Sequence, residues 1–194
     1  MSMAKRKPTS DLPRTVAEFD AWNAAQAERW EFIGGAPVLM APASKAHTVI
    51  KGNVFASLRA KLAGSPCRAF VDGVEVRGHD LAAIPDIVVT CGPVDFTTPS
   101  VHEPVLIVEV LSPSTASDDV GHKWQGYCLI QSLRHYLVIA QGSRFATLHT
   151  RTGAAAFAET VHQDGAIDLP ALGISLSLDE IYEDVTFPGQ VSDG

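Results

Sequence analysis

The helix and strand patterns along these 194 residues predict one α/β domain, a mixed β-sheet flanked by helices with additional C-terminal strands. Three observations predict it. First, IPDIVVT at 84–90 and PVLIVEVL at 104–111 are nearly unbroken aliphatic and β-branched runs, as expected of strands covered on both faces. Second, amphipathic helical patterns over 44–63 and 117–130 are interspersed with those strands. Third, a chain of this length with 46% hydrophobic residues can fill one core, whereas two would be cramped.

The elements follow in order. Thr15-Val16-Ala17-Glu18 has capping-box spacing and predicts a short helix through Trp22 and Ala27. Trp30–Ile33, Gly34-Gly35 and Pro37–Met40 read as a hairpin closed by two glycines. Ser44 to about Ala63 is the longest helical pattern, with Val49, Val54, Leu58 and Leu62 on one stripe and Gly64-Ser65-Pro66 as its stop. Strands are expected at Arg68–Val71, Val74–Arg77, Asp86–Thr90 and Val105–Leu111. A second long helix runs from Ser117 to about Ile130, with Asp118 and Asp119 at its positive end. Further strands fall at His135–Ala140, Arg144–Thr150 and Ala156–Val161, and Leu178–Tyr182 forms a turn of helix. Residues 15–187 make up the domain. Residues 1–14, basic and without an apolar segment, read as a flexible tail rather than a secretory signal, and 188–194 as a flexible C-terminus.

Charge and cysteines narrow the functional classes. The formal charge of −7 argues against a simple nucleic-acid binder, but no Lys or Arg follows Arg151 while eight acids do. Within 44–71 stand Lys45, Lys51, Arg59, Lys61 and Arg68 with no acid among them, so a basic face and an ordinary solvated helix are both open. Cys67, Cys91 and Cys128 form no CxxC pair and are expected to be reduced thiols in a cytoplasmic protein. No apolar run is long enough to span a membrane. GxSxG, GxxxxGK[ST], HExxH and GxGxxG are absent, and the seven histidines show no zinc spacing.

The residue out of place is Glu109, inside the buried-looking run 105–111. An ionised carboxylate there costs several kcal/mol or more unless a cation, a metal or hydrogen bonds compensate it. Asp86 opens the other buried run, directly after Pro85. On neighbouring strands, about 4.8 Å apart, the two carboxylates can enter one pocket. Paired hard oxygen ligands with water and phosphate suit magnesium or manganese. Lys123 lies on the helix that follows Glu109, with Tyr127 one turn on. Beside a metal, that lysine can orient or deprotonate an attacking water or steady charge on a phosphate. Lys123 also reads as an i,i+4 partner of Asp119 on a wet surface, and Asp86 as a turn-capping aspartate.

The stretches WEFIGGAPVLMAPAS, IPDIVVT, PVLIVEVLSPSTASDDVGHKWQGY and RHYLVIA resemble the Uma-type endonuclease family, formerly a domain of unknown function, of the PD-(D/E)XK nuclease superfamily. The resemblance runs from about Thr15 to Asp184 and implies a restriction-endonuclease-like core, with Asp86 and Glu109 as metal ligands and Lys123 as the catalytic lysine. The superfamily usually carries that lysine two residues after the acid, where this chain has Leu111; its relocation to the following helix is typical of the family. By the same resemblance Glu31 can complete the metal site and His47 can contact phosphate or water, although an exposed hairpin residue and a plain helix-terminal histidine are the alternatives. Gly34-Gly35 stands where the family commonly has Asp-Gly, and Ser132–Leu137 departs from its Gly-Val-Glu-Tyr-Trp-like segment.

The resulting expectation is a magnesium- or manganese-dependent endonuclease that hydrolyses DNA phosphodiester bonds, cytoplasmic and homodimeric. Two alternatives remain at this level: an inactive nuclease-like module that binds nucleic acid or protein, and a metal-dependent hydrolase of small phosphorylated or sugar substrates.

Overall fold

The computed structural model describes residues 12–40, 42–111 and 119–187. Its elements are α1 (Val16–Asn23), β1 (Trp30–Ile33), β2 (Ala36–Leu39), α2 (Lys45–Lys61), β3 (Cys67–Val71), β4 (Glu75–Gly78), β5 (Leu81–Ala83), β6 (Ile87–Cys91), β7 (Ser100–Val101), β8 (Pro104–Leu111), α3 (Asp119–Tyr127), β9 (His135–Ala140), β10 (Ala146–Arg151), β11 (Phe157–His162), β12 (Ala166–Leu169), β13 (Ile174–Ser177) and α4 (Leu178–Ile181). Most of the expected N-terminal tail, the C-terminal tail and the Ser117-Asp118 start of the second long helix lie outside the described residues.

The expected mixed sheet is present, six strands in the order β11-β10-β9-β8-β6-β3. Strand β8 is antiparallel to β6 and parallel to β9, which makes the sheet mixed at its centre. Period-two alternation then explains the apolar run. Leu106, Val108 and Val110 pack with Ile50, Val54 and Leu58 of α2 and with Leu176 and Ile181 of the C-terminal segment. On the opposite face Ile107 packs with Tyr127 of α3, Tyr136 of β9, and Val76 and Leu81 of a second sheet. That second sheet, β2-β1-β5-β4-β7, was not separable from the first in the sequence, because β5 and β7 have only three and two residues; the four-residue strands of the β12-β13 hairpin were not read either.

Local signals hold with instructive exceptions. Thr15 Oγ1 accepts from the Glu18 amide and a Glu18 oxygen accepts from the Arg14 amide, but α1 stops at Asn23 rather than Ala27. There the Gln26 side-chain amide donates to the Trp22 carbonyl, closing the helix early. Gly34 and Gly35 have φ of +59° and +82°, as a two-residue hairpin turn of this hand requires. Helix α3 ends at Tyr127, short of Ile130, because the Arg151 guanidinium gathers the Cys128 and Ile130 carbonyls.

Two expectations are corrected. Ile50, not Val49, carries the buried stripe of α2: Ile50 is fully buried and Val49 is 37% exposed. Position 50 lies one helical turn before Val54, whereas position 49 is rotated off that face. Ile50→Ala is therefore expected to cost roughly 2–5 kcal/mol in urea unfolding, against roughly 0.5 kcal/mol or less for Val49→Ala. The second correction concerns the thiols: Cys67 and Cys91 form a disulfide rather than staying reduced. They stand directly opposite each other in the β3–β6 register, with Cα atoms 3.9 Å apart, an adjacency that 24 residues of separation conceal. Cys128 remains a free thiol.

Candidate active site

The antiparallel register that sets Ile87 opposite Val108 brings Asp86, just ahead of β6, alongside the Glu109–Val110 end of β8. The Val110 amide donates to Asp86 Oδ2 at 2.8 Å. Glu31 arrives from β1, the neighbour of β5, and its Oε1 accepts from the Ile84 amide at 2.7 Å. Three carboxylates, from β1, β8 and the residue just ahead of β6, thus meet at one cavity of about 840 Å³, walled by Val38 and Leu39 of β2, the start of α2, and Leu111.

Helix α3 brings the lysine. It approaches β5 so closely that a Cβ on Gly126 would lie 3.0 Å from Leu81, so glycine lets the helix settle there. Lys123 then places Nζ 2.9 Å from Glu31 Oε1 and 3.3 Å from Glu109 Oε1, and the Tyr127 hydroxyl donates to Glu109 Oε1 at 3.1 Å. The lysine side chain is only 12% exposed, so it is a buried bridge between two acids rather than a residue on a wet surface.

The electrostatics of the pair are unequal. Glu109 faces one ammonium but two further carboxylates. Burial, only partly offset by Lys123 and reinforced by Asp86 and Glu31, pushes its carboxyl up to about 7. Lys123 faces two anions, and although burial opposes its charge, Glu109 and Glu31 outweigh that and hold it well above the usual lysine range. Burial, with Glu109 and Glu31, likewise raises Tyr127, which keeps its proton and acts as a donor.

On the other wall α2 presents two side chains one turn apart. His47 Nε2 lies 2.8 Å from Asp86 Oδ1. Lys51 Nζ is 2.8 Å from Asp72 Oδ1 and 3.8 Å from Asp86 Oδ1. All the residues singled out from sequence therefore converge: Asp86, Glu109, Lys123, Glu31 and His47 line the cavity, and Tyr127 supports Glu109 from below. Sequence reasoning missed Lys51 as a site residue, although its i+4 spacing from His47 put both on one face. It also missed Tyr136, a fully buried ring on the cavity wall whose hydroxyl has no hydrogen-bond partner among the described residues.

Among the described residues no three His, Cys, Asp or Glu side chains form a ready-made metal cage. Glu31 in particular has Lys123 as its charged partner rather than Asp86 and Glu109. The donor chemistry nevertheless fits a hard divalent cation. Hydrogen bonds to Glu31 and Glu109 are made at Oε1, and among the described residues none engages either Oε2. Two carboxylates with water and phosphate oxygens suffice for magnesium, which does not demand an all-protein cage.

Comparison with known proteins identifies the family. Residues 16–179 match the family model described as "Uma2: Putative restriction endonuclease", and the chain belongs to that family. The fold is similar to the crystal structure of a protein from Anabaena variabilis, titled "a putative nuclease belonging to DUF820", with a TM-score of 0.73 over 88% of this chain and 98% of that one, at 18% identity. Two Synechocystis proteins described as uncharacterized are also similar. One, slr1290, is 28% identical over 95% of this chain and all of its own length; the other, sll1609, is 31% identical over 66% of this chain and 75% of its own. No helix among the described residues is long and apolar enough to cross a membrane.

Proposed function

We propose that the protein is a magnesium- or manganese-dependent endonuclease that hydrolyses DNA phosphodiester bonds, working as a homodimer. The observation that carries the reading is the buried Glu109, which shares Lys123 with Glu31 and lies beside Asp86 at one open cavity. So dense a group of carboxylates, half-compensated, is costly for a merely structural purpose.

Asp86 and Glu109 would hold the divalent ion, with Glu31 adjoining. Such an ion, when bound, polarises the scissile phosphate and acidifies a water molecule. The chain's own groups do the rest. Lys123, gripped by Glu31 and Glu109, is a charged donor that orients the attacking water and steadies phosphate charge; two acids beside it oppose a role as proton acceptor. The Tyr127 hydroxyl and the Val110 amide fix the directions of Glu109 and Asp86. His47 supports Asp86 from the α2 side.

Manganese titration by calorimetry tests the metal site. Wild type should bind manganese with micromolar affinity, and Asp86→Asn should lose at least about tenfold of it, as for loss of a charged ligand. No heat from the wild-type protein would instead favour the non-catalytic binding module. Cleavage of plasmid in manganese, with nucleotides left intact, would separate the nuclease from a small-substrate hydrolase.

A further inference from the structure

We propose that Lys51 is a phosphate-binding residue of the cavity, and that in the free protein the Asp72 carboxylate holds the place of a substrate phosphodiester. The ligand class rests on the nuclease reading above; the geometry does not.

Two lysines border the cavity and their commitments differ. Lys123 is divided between two buried carboxylates, Glu31 and Glu109, whose side chains are 6% and 8% exposed. Lys51 is equally enclosed, at 12%, but its close partner Asp72 is 57% exposed. Asp86, at 3.8 Å from Lys51, already has His47 and the Val110 amide on its oxygens. An exposed carboxylate is well hydrated and gains little from an ion pair, so water can reclaim Asp72 cheaply. An arriving phosphate oxygen therefore finds in Lys51 a partly desolvated cation with a displaceable partner.

The backbone supports the same assignment. Asp72 has φ of +52° in the turn between β3 and β4, followed by Gly73 at +76°. Asn and Asp are among the few side-chain-bearing residues that enter this region readily. The Asp72 amide donates to the Asp86 carbonyl at 3.3 Å, tying this turn to the strand start that carries a proposed metal ligand. Lys51 thus lies between the carboxylate floor and the solvent, where a backbone phosphate flanking the scissile one would pass.

The test is binding of a short fluorescein-labelled DNA duplex, in calcium to suppress cleavage, by wild type, Lys51→Met and Asp72→Asn. Lys51→Met should bind on the order of tenfold more weakly, with a salt-dependence slope smaller by about one. Asp72→Asn keeps the left-handed turn but withdraws the competing charge, and should bind at least as tightly as wild type. A purely structural ion pair predicts that the two variants behave alike, since each breaks the same contact. Parallel weakening, or undiminished binding by Lys51→Met, overturns the proposal; Lys51→Gln serves if the methionine variant does not fold. Wild type that binds the duplex but cuts nothing in manganese overturns the nuclease reading alone, because the Lys51 and Asp72 comparison still decides. Wild type that binds no DNA overturns both.

Discussion

A Glu109→Gln protein is expected to lose manganese-dependent DNA cleavage by a thousandfold or more while melting no lower than wild type at pH 8. Both halves follow from one side chain. The amide keeps the shape of the acid and still offers an oxygen to Tyr127 and Lys123, but it is a poor ligand for a hard cation. Losing the charge removes both metal affinity and the field that depends on the metal, for which losses of order 10³ are ordinary.

The stability half comes from the raised carboxyl. Glu109 titrates near 7 in the fold against an ordinary value of 4.5, so between these values the folded chain keeps a proton that the unfolded chain has lost. Stability from this group is fully present below about pH 4.5 and lost as pH rises through about 7. In chelator, wild type should therefore weaken across that window relative to Glu109→Gln, which has nothing to titrate there. Thermal melts at pH 5 and pH 8 check the sign. A glutamine variant that melts several degrees below wild type at pH 8 contradicts it.

Lys123→Met carries the second large effect, in the opposite direction. Methionine roughly preserves the stem volume but strands Glu31 and Glu109, 5% and 6% exposed, without their shared cation. Removing one partner of a buried ion pair costs about 3–5 kcal/mol. The loss should be largest at pH 8 and smaller at pH 5, because protonation of Glu109, already raised to about 7, relieves part of the stranded charge. Cleavage should vanish at both values. Equal stability of the two proteins at pH 8 would mean that the lysine bridge compensates nothing.

The contrast between these variants shows what a sequence can reveal about such a site. Glu109 was legible because a carboxylate in a β-branched run conflicts with its own surroundings, and that conflict needs no tertiary knowledge. Asp86 followed from the second run, and the pairing of β6 with β8 turned two separate oddities into one cavity. Lys123 needed the family resemblance, since its spacing alone equally fits a surface ion pair. Lys51 and Asp72 were hidden for a different reason: they are ordinary charged residues, and only the placement of the β3–β4 turn against α2 gives them meaning. The same holds for Cys67 and Cys91, whose pairing is a property of register. Long buried strands were readable because burial on both faces leaves a compositional mark. Strands β5 and β7 of the second sheet, three and two residues long, were too short to leave one.

The central claim is that a divalent ion belongs between the floor carboxylates, and a crystal of the wild-type protein soaked in manganese tests it most directly. Anomalous scattering should show a single strong peak bonded to Asp86 and Glu109, with Lys123 beside it. A map with no peak there, or with manganese only at surface carboxylates such as those of the C-terminal acidic segment, would contradict the account.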